Sequence, residues 1–256
     1  MPEEYRFKAL VARSVPIGDT VNLLTVLSAE YGKKTVRCYG ARKPSGRVMS
    51  AVQPFCYSEF LVTEKDGRWT LREVGLLANF YELRNDMLAL SLGTYMLDLA
   101  CECARENVNE SSLLSLTLNC LFVLSRKAAT PDTVKAVFEL RLLAEQGCAV
   151  VYKNCARCGG ALGDGCAFSA KDGGIVCADC RDVDPDGRYL PAGGSERLAL
   201  THIELSPLKQ LFSFRITDAC LTRLSAIAEE STLYYFEHDF ESLRYYKEIK
   251  ETLSDT

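Results

Sequence analysis

The chain has 256 residues, nearly half apolar and a quarter charged, as expected of a soluble globular protein of one to three domains. Its twelve cysteines follow an N-terminus, MPEEYRFKAL, with two early acids and no apolar signal core, so the thiols are expected in a reducing cytoplasm. The most apolar run, Leu113–Leu124, is broken by Ser115, Thr117 and Asn119 and is too short to span a bilayer; a core helix is expected there, and no membrane role. The net charge of −4 is unevenly divided. Residues 1–50 carry nine Lys or Arg against four acids, and the rest carry 21 against 30, so the front of the chain is suited to a polyanionic partner.

In chain order, the first eighty residues read as strands. Tyr5–Val15, a turn at Pro16–Asp19, Thr20–Ser28, a turn at Tyr31–Gly32 and Lys33–Tyr39 follow one another. In Lys33–Tyr39, Thr35, Arg37 and Tyr39 face one way and Val36 and Cys38 the other. Gly40–Met49 is polar and flexible in character. Phe55–Glu64 and Arg68–Leu77 are joined by Lys65-Asp66-Gly67, whose Asp-Gly step is a strong hairpin signal. Five short strands without an intervening helical pattern predict a small closed barrel of the oligonucleotide/oligosaccharide-binding (OB) type.

After Asn79 the apolar period lengthens to about 3.6 residues. Met87, Leu88, Leu92, Tyr95, Met96 and Leu99 mark a helix capped by Asn85 or Asp86. A second begins at Ser111 or Ser112 and runs to about Ser125. A third opens at Thr130-Pro131 and ends before Gly147. Helices are expected again from Ser206-Pro207, from about Thr217, and from about Phe240 to Lys250. The fold class is therefore α+β and multidomain: a barrel at 1–79, a helical domain at 80–152 and 183–256, and an insertion at 153–182.

That insertion carries Cys155, Cys158, Cys177 and Cys180, spaced C-x2-C-x18-C-x2-C. Each Cys-x-x-Cys turn lets two thiolates face one ion, and two turns complete a closed tetrahedral site, so one structural zinc is expected. Four unrelated buried thiols are the alternative, but such thiols have no reason to fall at matched spacings in a glycine-rich segment. Residues 153–194 hold nine of the seventeen glycines and few large apolar side chains, so the segment needs a metal to offset its ordering entropy. Four sulfur ligands leave no position for water, and the zinc is expected to be structural. Cys166, between the pairs, is taken as a spare thiol.

The basic constellation is Lys33, Lys34, Arg37, Arg42, Lys43 and Arg47, with Arg6, Lys8 and Arg13 as neighbours. On a small barrel such cations track a phosphate backbone while aromatics such as Tyr31 or Tyr39 stack on bases, with little sequence preference. Other features are set aside. Cys101 and Cys103 lie about 200° apart around a helix and cannot share an ion. His202 and His238 have no catalytic or ligating company. No phosphate loop or nucleophile elbow is present, so neither an enzyme nor a small-molecule substrate is expected. Glu229, Glu230, Glu237, Asp239 and Glu241 read as a solvated helical surface, and Tyr234, Tyr235, Phe236 and Phe240 as core sooner than groove, with part of the set open to a partner peptide.

Taken in order, Gly40-Ala41-Arg42-Lys43 through Ser45 and Arg47, then Gln53-Pro54-Phe55, Leu76–Leu83, the four-cysteine segment and Tyr235-Phe236-Glu237-His238 to Ser242-Leu243-Arg244 resemble the RecO family of recombination mediators, in its zinc-bearing form. The resemblance covers nearly the whole chain. It implies an OB barrel, a helical domain and a zinc module. It also implies a protein that binds single- and double-stranded DNA and anneals complementary strands without turnover. With RecR, such a protein helps to load RecA on DNA coated by single-strand-binding protein, whose acidic C-terminal tail is a further partner. Pro44 and Gly46 stand where many relatives have more Lys or Arg. A zinc-stabilised docking scaffold with little or no direct DNA contact is the alternative reading.

Overall fold

The structure, a computed structural model, describes residues 3–18, 20–39 and 47–254. Its first strand, β1 (Glu3–Ile17), is fifteen residues long and serves two partners. The early part pairs antiparallel with β4 (Cys56–Lys65) and the later part with β2 (Val21–Ser28). A bulge between Val11 and Arg13 bends β1, so one strand can belong to both sides of a closing sheet. β3 (Gly32–Tyr39) and β5 (Arg68–Asn79) complete the ring through a short parallel pairing, Val36 with Trp69 and Arg37 with Thr70. The result is a closed barrel of order β1-β2-β3-β5-β4, as the strand count predicts. Asp66 and Gly67, at φ of 53° and 71°, form the left-handed pair that a two-residue hairpin loop requires.

Alternate residues fill the barrel, among them Phe7, Leu24, Val26, Val36, Phe60 and Val62. A short helix, α1 (Arg47–Ala51), leads into Val52, which joins the same core, and Ser58 Oγ donates to the Ala51 carbonyl at 2.8 Å. This helix begins inside the segment expected to be polar and flexible; residues 40–46 lie outside the described residues. Trp69 is stacked by Tyr5 at 5.2 Å and met edge-on by Tyr31 at 5.2 Å. Tyr31 also packs edge-on against Tyr5 and Phe7. It is therefore an internal packing residue rather than a platform for bases, because the turn after β2 folds its ring inward.

Two helices pack with the barrel. In α2 (Met87–Cys103), Asp86 caps the start by accepting from Ala89 N–H at 3.1 Å; α3 (Ser111–Ser125) buries the apolar run Leu113–Leu124 along most of its length. The segment between them clamps the β2–β3 turn. Asn107 N–H donates to the Tyr31 carbonyl at 2.9 Å and Glu110 N–H to that of Ala29 at 2.8 Å. Gly32, at φ +62°, is required here, since a Cβ would lie 1.9 Å from the Arg105 carbonyl oxygen.

Contacts divide the chain into two compact units, one running to Arg126 and including the chain from Ile249, the other Lys127–Glu248. In the second, α4 (Pro131–Glu145) starts at the predicted Thr130-Pro131 cap and is followed by β6 (Ala167–Ser169), β7 (Gly174–Val176), α5 (Ala178–Asp182) and β8 (Leu190–Pro191), which form a small sheet of order β7-β6-β8 and one helical turn. Next come α6 (Gly194–Leu205), α7 (Asp218–Phe236), capped by Thr217, and α8 (Glu241–Ser254). Three expectations are corrected here. Ser206-Pro207 does not open a helix: Ser206 ends α6, and only a single 3-10 turn, Leu208–Gln210, follows. Tyr234 and Tyr235 are 56 % and 40 % exposed, because the inward stripe of α7 is Cys220, Leu224, Ile227, Ala228 and Thr232. Glu229 is not a solvated acid. It accepts from the buried Lys135 ammonium at 2.9 Å and from Lys247 at 2.8 Å, while Lys135 also pairs with the buried Glu139 at 2.9 Å. Among the described residues no helix is long and apolar enough to cross a membrane.

Candidate metal centre and nucleic-acid face

The chain entering the insertion at Val151 lies directly on β7. Val151 N–H donates to the Gly173 carbonyl at 3.0 Å, and Ile175 N–H to that of Val151 at 2.7 Å. Gly174 permits this approach, since a Cβ would lie 2.3 Å from the Val151 oxygen. The pairing brings the first cysteine turn beside the second, and Ala156 N–H reaches the Ile175 carbonyl at 2.8 Å. Within the first turn, Gly159 N–H donates to the Cys155 carbonyl and Cys155 N–H to that of Gly160, both at 2.8 Å. Cys177 stands immediately before α5, which carries Cys180.

The four sulfur atoms of Cys155, Cys158, Cys177 and Cys180 lie within 4.8 Å of one another. Cys158 and Cys177 Sγ are 3.9 Å apart. A tetrahedron with metal–sulfur bonds of about 2.3 Å has edges of about 3.8 Å, so the donor set fits one tetrahedral ion such as zinc. Burial raises the Cys155 thiol, but N–H groups of Cys158, Cys177 and Arg157 outweigh it and lower the thiol to about 6. Cys180 is pushed up to about 12, mainly because the Cys158 and Cys177 thiols share its proton. Backbone N–H groups thus favour the thiolate form at Cys155, and a divalent cation would displace the thiol protons of the set. Cys166 lies outside the cluster and donates to the Ala192 carbonyl at 3.0 Å. Sequence reasoning missed Arg157, between the first two cysteines, because Cys-x-x-Cys spacing carries no information about x.

The basic residues are not equivalent. Lys33 Nζ donates to the Cys101 carbonyl at 2.7 Å, in the last turn of α2, where the helix dipole and open carbonyls favour a cation. Lys34 points the other way, its ammonium 4.8 Å from the centre of the Trp69 ring. Arg37 lies on the outer face, in register with Leu23, and Tyr39, 58 % exposed, with Val21. Arg42 and Lys43 lie outside the described residues; Arg47 opens α1, and its side chain also lies outside them. Arg6 pairs with Glu59 at 3.2 Å and Arg13 with Asp98 at 2.7 Å. Among the described residues Arg37 enters no ion pair.

Across β1, β2 and β3 the register aligns Ile17, Val21 and Tyr39 in one row and Val15, Leu23 and Arg37 in the next. Val15 and Ile17 are 45 % and 51 % exposed. The face is therefore an apolar ladder with an aromatic corner and a guanidinium beside it. Its aliphatic part was not evident from sequence, because exposed and buried strand valines look alike before the register is known.

A closed five-stranded OB-type barrel, a helical region and a four-cysteine cluster that could hold a metal ion define an α+β multidomain protein. Family profiles described as "Recombination protein O N terminal" and "Recombination protein O C terminal" match residues 1–80 and 84–244. The chain is 29 % identical over 240 residues to the DNA repair protein RecO of Acetivibrio thermocellus, covering 94 % of this chain and 95 % of that protein. It is 30 % identical over 248 residues to DNA repair protein RecO of Desulforudis audaxviator, covering 96 % and 98 %. Over 180 residues it is 35 % identical to that of Myxococcus xanthus, covering 70 % and 73 %. The chain belongs to the RecO family of DNA repair proteins.

Proposed function

We propose that this protein works without turnover as a recombination mediator. It binds single- and double-stranded DNA, anneals complementary strands and, with RecR, helps load RecA on DNA covered by single-strand-binding protein, whose acidic tail it also engages. The work is cytoplasmic. In this reading the barrel of residues 1–79 holds DNA, the helical segments 80–152 and 183–256 serve protein partners, and residues 153–182 are held in shape by zinc.

The outer barrel face, where Arg37 and Tyr39 stand at the β3 edge of the exposed rows, supports the DNA reading. Complementary strands repel through their phosphates; cations on the barrel lower that repulsion, and an aromatic ring stacks on bases of any identity. Arg37, Arg42, Lys43 and Arg47 serve this face, whereas Lys33 is engaged by the α2 carboxy end and Lys34, in step with Val36 and Cys38, lies on the other face of β3 against Trp69.

A salt series of single-stranded DNA binding tests the proposal. For about five phosphate contacts, log affinity falls against log salt with a slope of about −3.5. Arg37→Ala lowers the steepness by about 0.7 and weakens binding to all sequences equally. Tyr39→Ala weakens single-strand binding by about 1–3 kcal/mol. An affinity indifferent to salt contradicts the charge reading. The scaffold alternative draws on the aliphatic ladder, a surface that also suits protein; it predicts annealing no faster than in buffer.

A further inference from the structure

Arg157, inside the first Cys-x-x-Cys turn, reaches across the cluster. Its Nη1 donates to the Cys180 carbonyl at 2.5 Å, so a group from the first turn holds the backbone of the last cysteine of the second. The rest of the guanidinium is fixed from the other side. Nε and Nη2 grip the two Asp172 oxygens at 3.0 and 2.8 Å, and Nη2 also donates to the Tyr189 hydroxyl at 3.1 Å. Asp172 is anchored in turn by the buried Ser169, whose hydroxyl donates to it at 2.6 Å. Asp184 lies 3.6 Å from Nη2. With two carboxylates beside it the guanidinium charge is offset locally, and its contribution to the cluster is placement rather than field. Cys180 needs that placement. Cys155 is buried, but Cys180 sits on the five-residue α5, which buries none of its residues.

We infer that Arg157 is the positioning residue of the metal centre: its planar fork fixes the Cys180 thiol within reach of an ion shared with the other three cysteines and thereby sets how slowly that ion leaves. This rests on the reading of the four-cysteine cluster as a metal site. Lysine is no substitute, because a single ammonium cannot hold Asp172 at two points and the Cys180 carbonyl at once.

The test uses the full chain loaded with zinc or with cobalt(II), and follows metal release to a chromophoric chelator and the cobalt absorption bands. Arg157→Ala and Arg157→Lys release zinc about tenfold faster or more, as loss of an outer-shell partner does in other metal sites. In Arg157→Lys the cobalt bands change shape even when the site is fully loaded. Arg181→Ala is the control. Arg181 is next to Cys180 in sequence but donates to the Gly165 carbonyl and Asp182, and its variant keeps the parent rate. A parent rate in Arg157→Lys overturns the inference, since charge alone would then suffice. Equally fast release from Arg181→Ala overturns it too, since any loosening would then do. If Arg157→Ala does not fold, Asp172→Asn, which removes the carboxylate charge from the two-point grip, is expected to accelerate release by a smaller factor, and a parent rate there also counts against it. Parent protein that takes up neither ion sinks the metal reading itself, a result distinct from loaded variants that release alike.

Discussion

Lys135 lies in the core of the second unit with only 4 % of its side chain exposed, and its charge is held by Glu139 and Glu229. Replacing it with Met leaves two carboxylates without their shared cation and is expected to cost about 3–5 kcal/mol in a denaturant titration. The pH dependence has a definite sign. Burial works against ionising Glu229, but Lys135 and Lys247 outweigh it and hold its carboxyl below the ordinary value of 4.5. Its folded-state value is depressed, so its contribution is full above that ordinary value and is lost as pH falls through the lower folded one. Lys247→Met should shrink this acid-limb loss; an unchanged profile would assign the loss to other groups. Backbone space is equally demanding at Gly32. Gly32→Ala combines a left-handed φ with a Cβ placed 1.9 Å from a carbonyl oxygen, and should destabilise far more than Gly18→Ala, where φ is +57° but nothing lies within 4 Å. Comparable losses for the two would show that the clamp on the β2–β3 turn yields easily.

At the scale of elements, the helix starts divide by how they are capped. Asp86, Thr130 and Thr217 each accept from the N–H three residues on; Thr130 was readable as a cap and Asp86 as one of two candidates, while Thr217 was legible only as the approximate start of a helix. Helix α6 was not, because its first N–H groups are served differently. Gly193 precedes it, and the Glu196 carboxylate reaches back to Gly193 N–H at 2.7 Å while pairing with Arg223 at 2.7 Å. Local sequence contains the glutamate but not the arginine twenty-seven residues later that steadies it. Glu196→Ala is expected to cost about 2–4 kcal/mol, because it removes a charge-assisted cap and leaves the Arg223 guanidinium without that partner; Thr217→Ala should cost about 1. Chemical denaturation of both variants checks the ranking, and equal losses would reduce Glu196 to an ordinary cap. The Asp66-Gly67 hairpin was legible for the opposite reason: two adjacent residues are sufficient for its left-handed turn. Strands β6 and β7, at three residues each, are too short to display a period.

At the scale of the whole molecule, the four-cysteine segment buries few large apolar side chains, chiefly Phe168, Ile175 and Val176. Stripping metal with a strong chelator should increase hydrogen exchange at Ala156, Ile175 and Cys177, whose N–H groups bond within the cluster or its supporting strand, while Val26 and Val36 inside the barrel keep their protection. Uniform loss across both regions would mean that the insertion supports the barrel; no loss at all would mean that the insertion holds itself without an ion.

By itself the sequence determined the period-two front, the helical remainder, the paired cysteine spacing and the order of motifs that marks the family, because each is written in neighbouring residues or in spacing along the chain. Tertiary structure alone decided which cations are available. Lys33 and Lys34 are adjacent in sequence, yet the strand pleat sends them to opposite faces, one to a helix end and the other to Trp69. It also turned Tyr31 inward, drew Glu229 into an ion network and placed Arg157 against Cys180. Those outcomes depend on residues tens of positions apart arriving together, and no local propensity encodes that meeting.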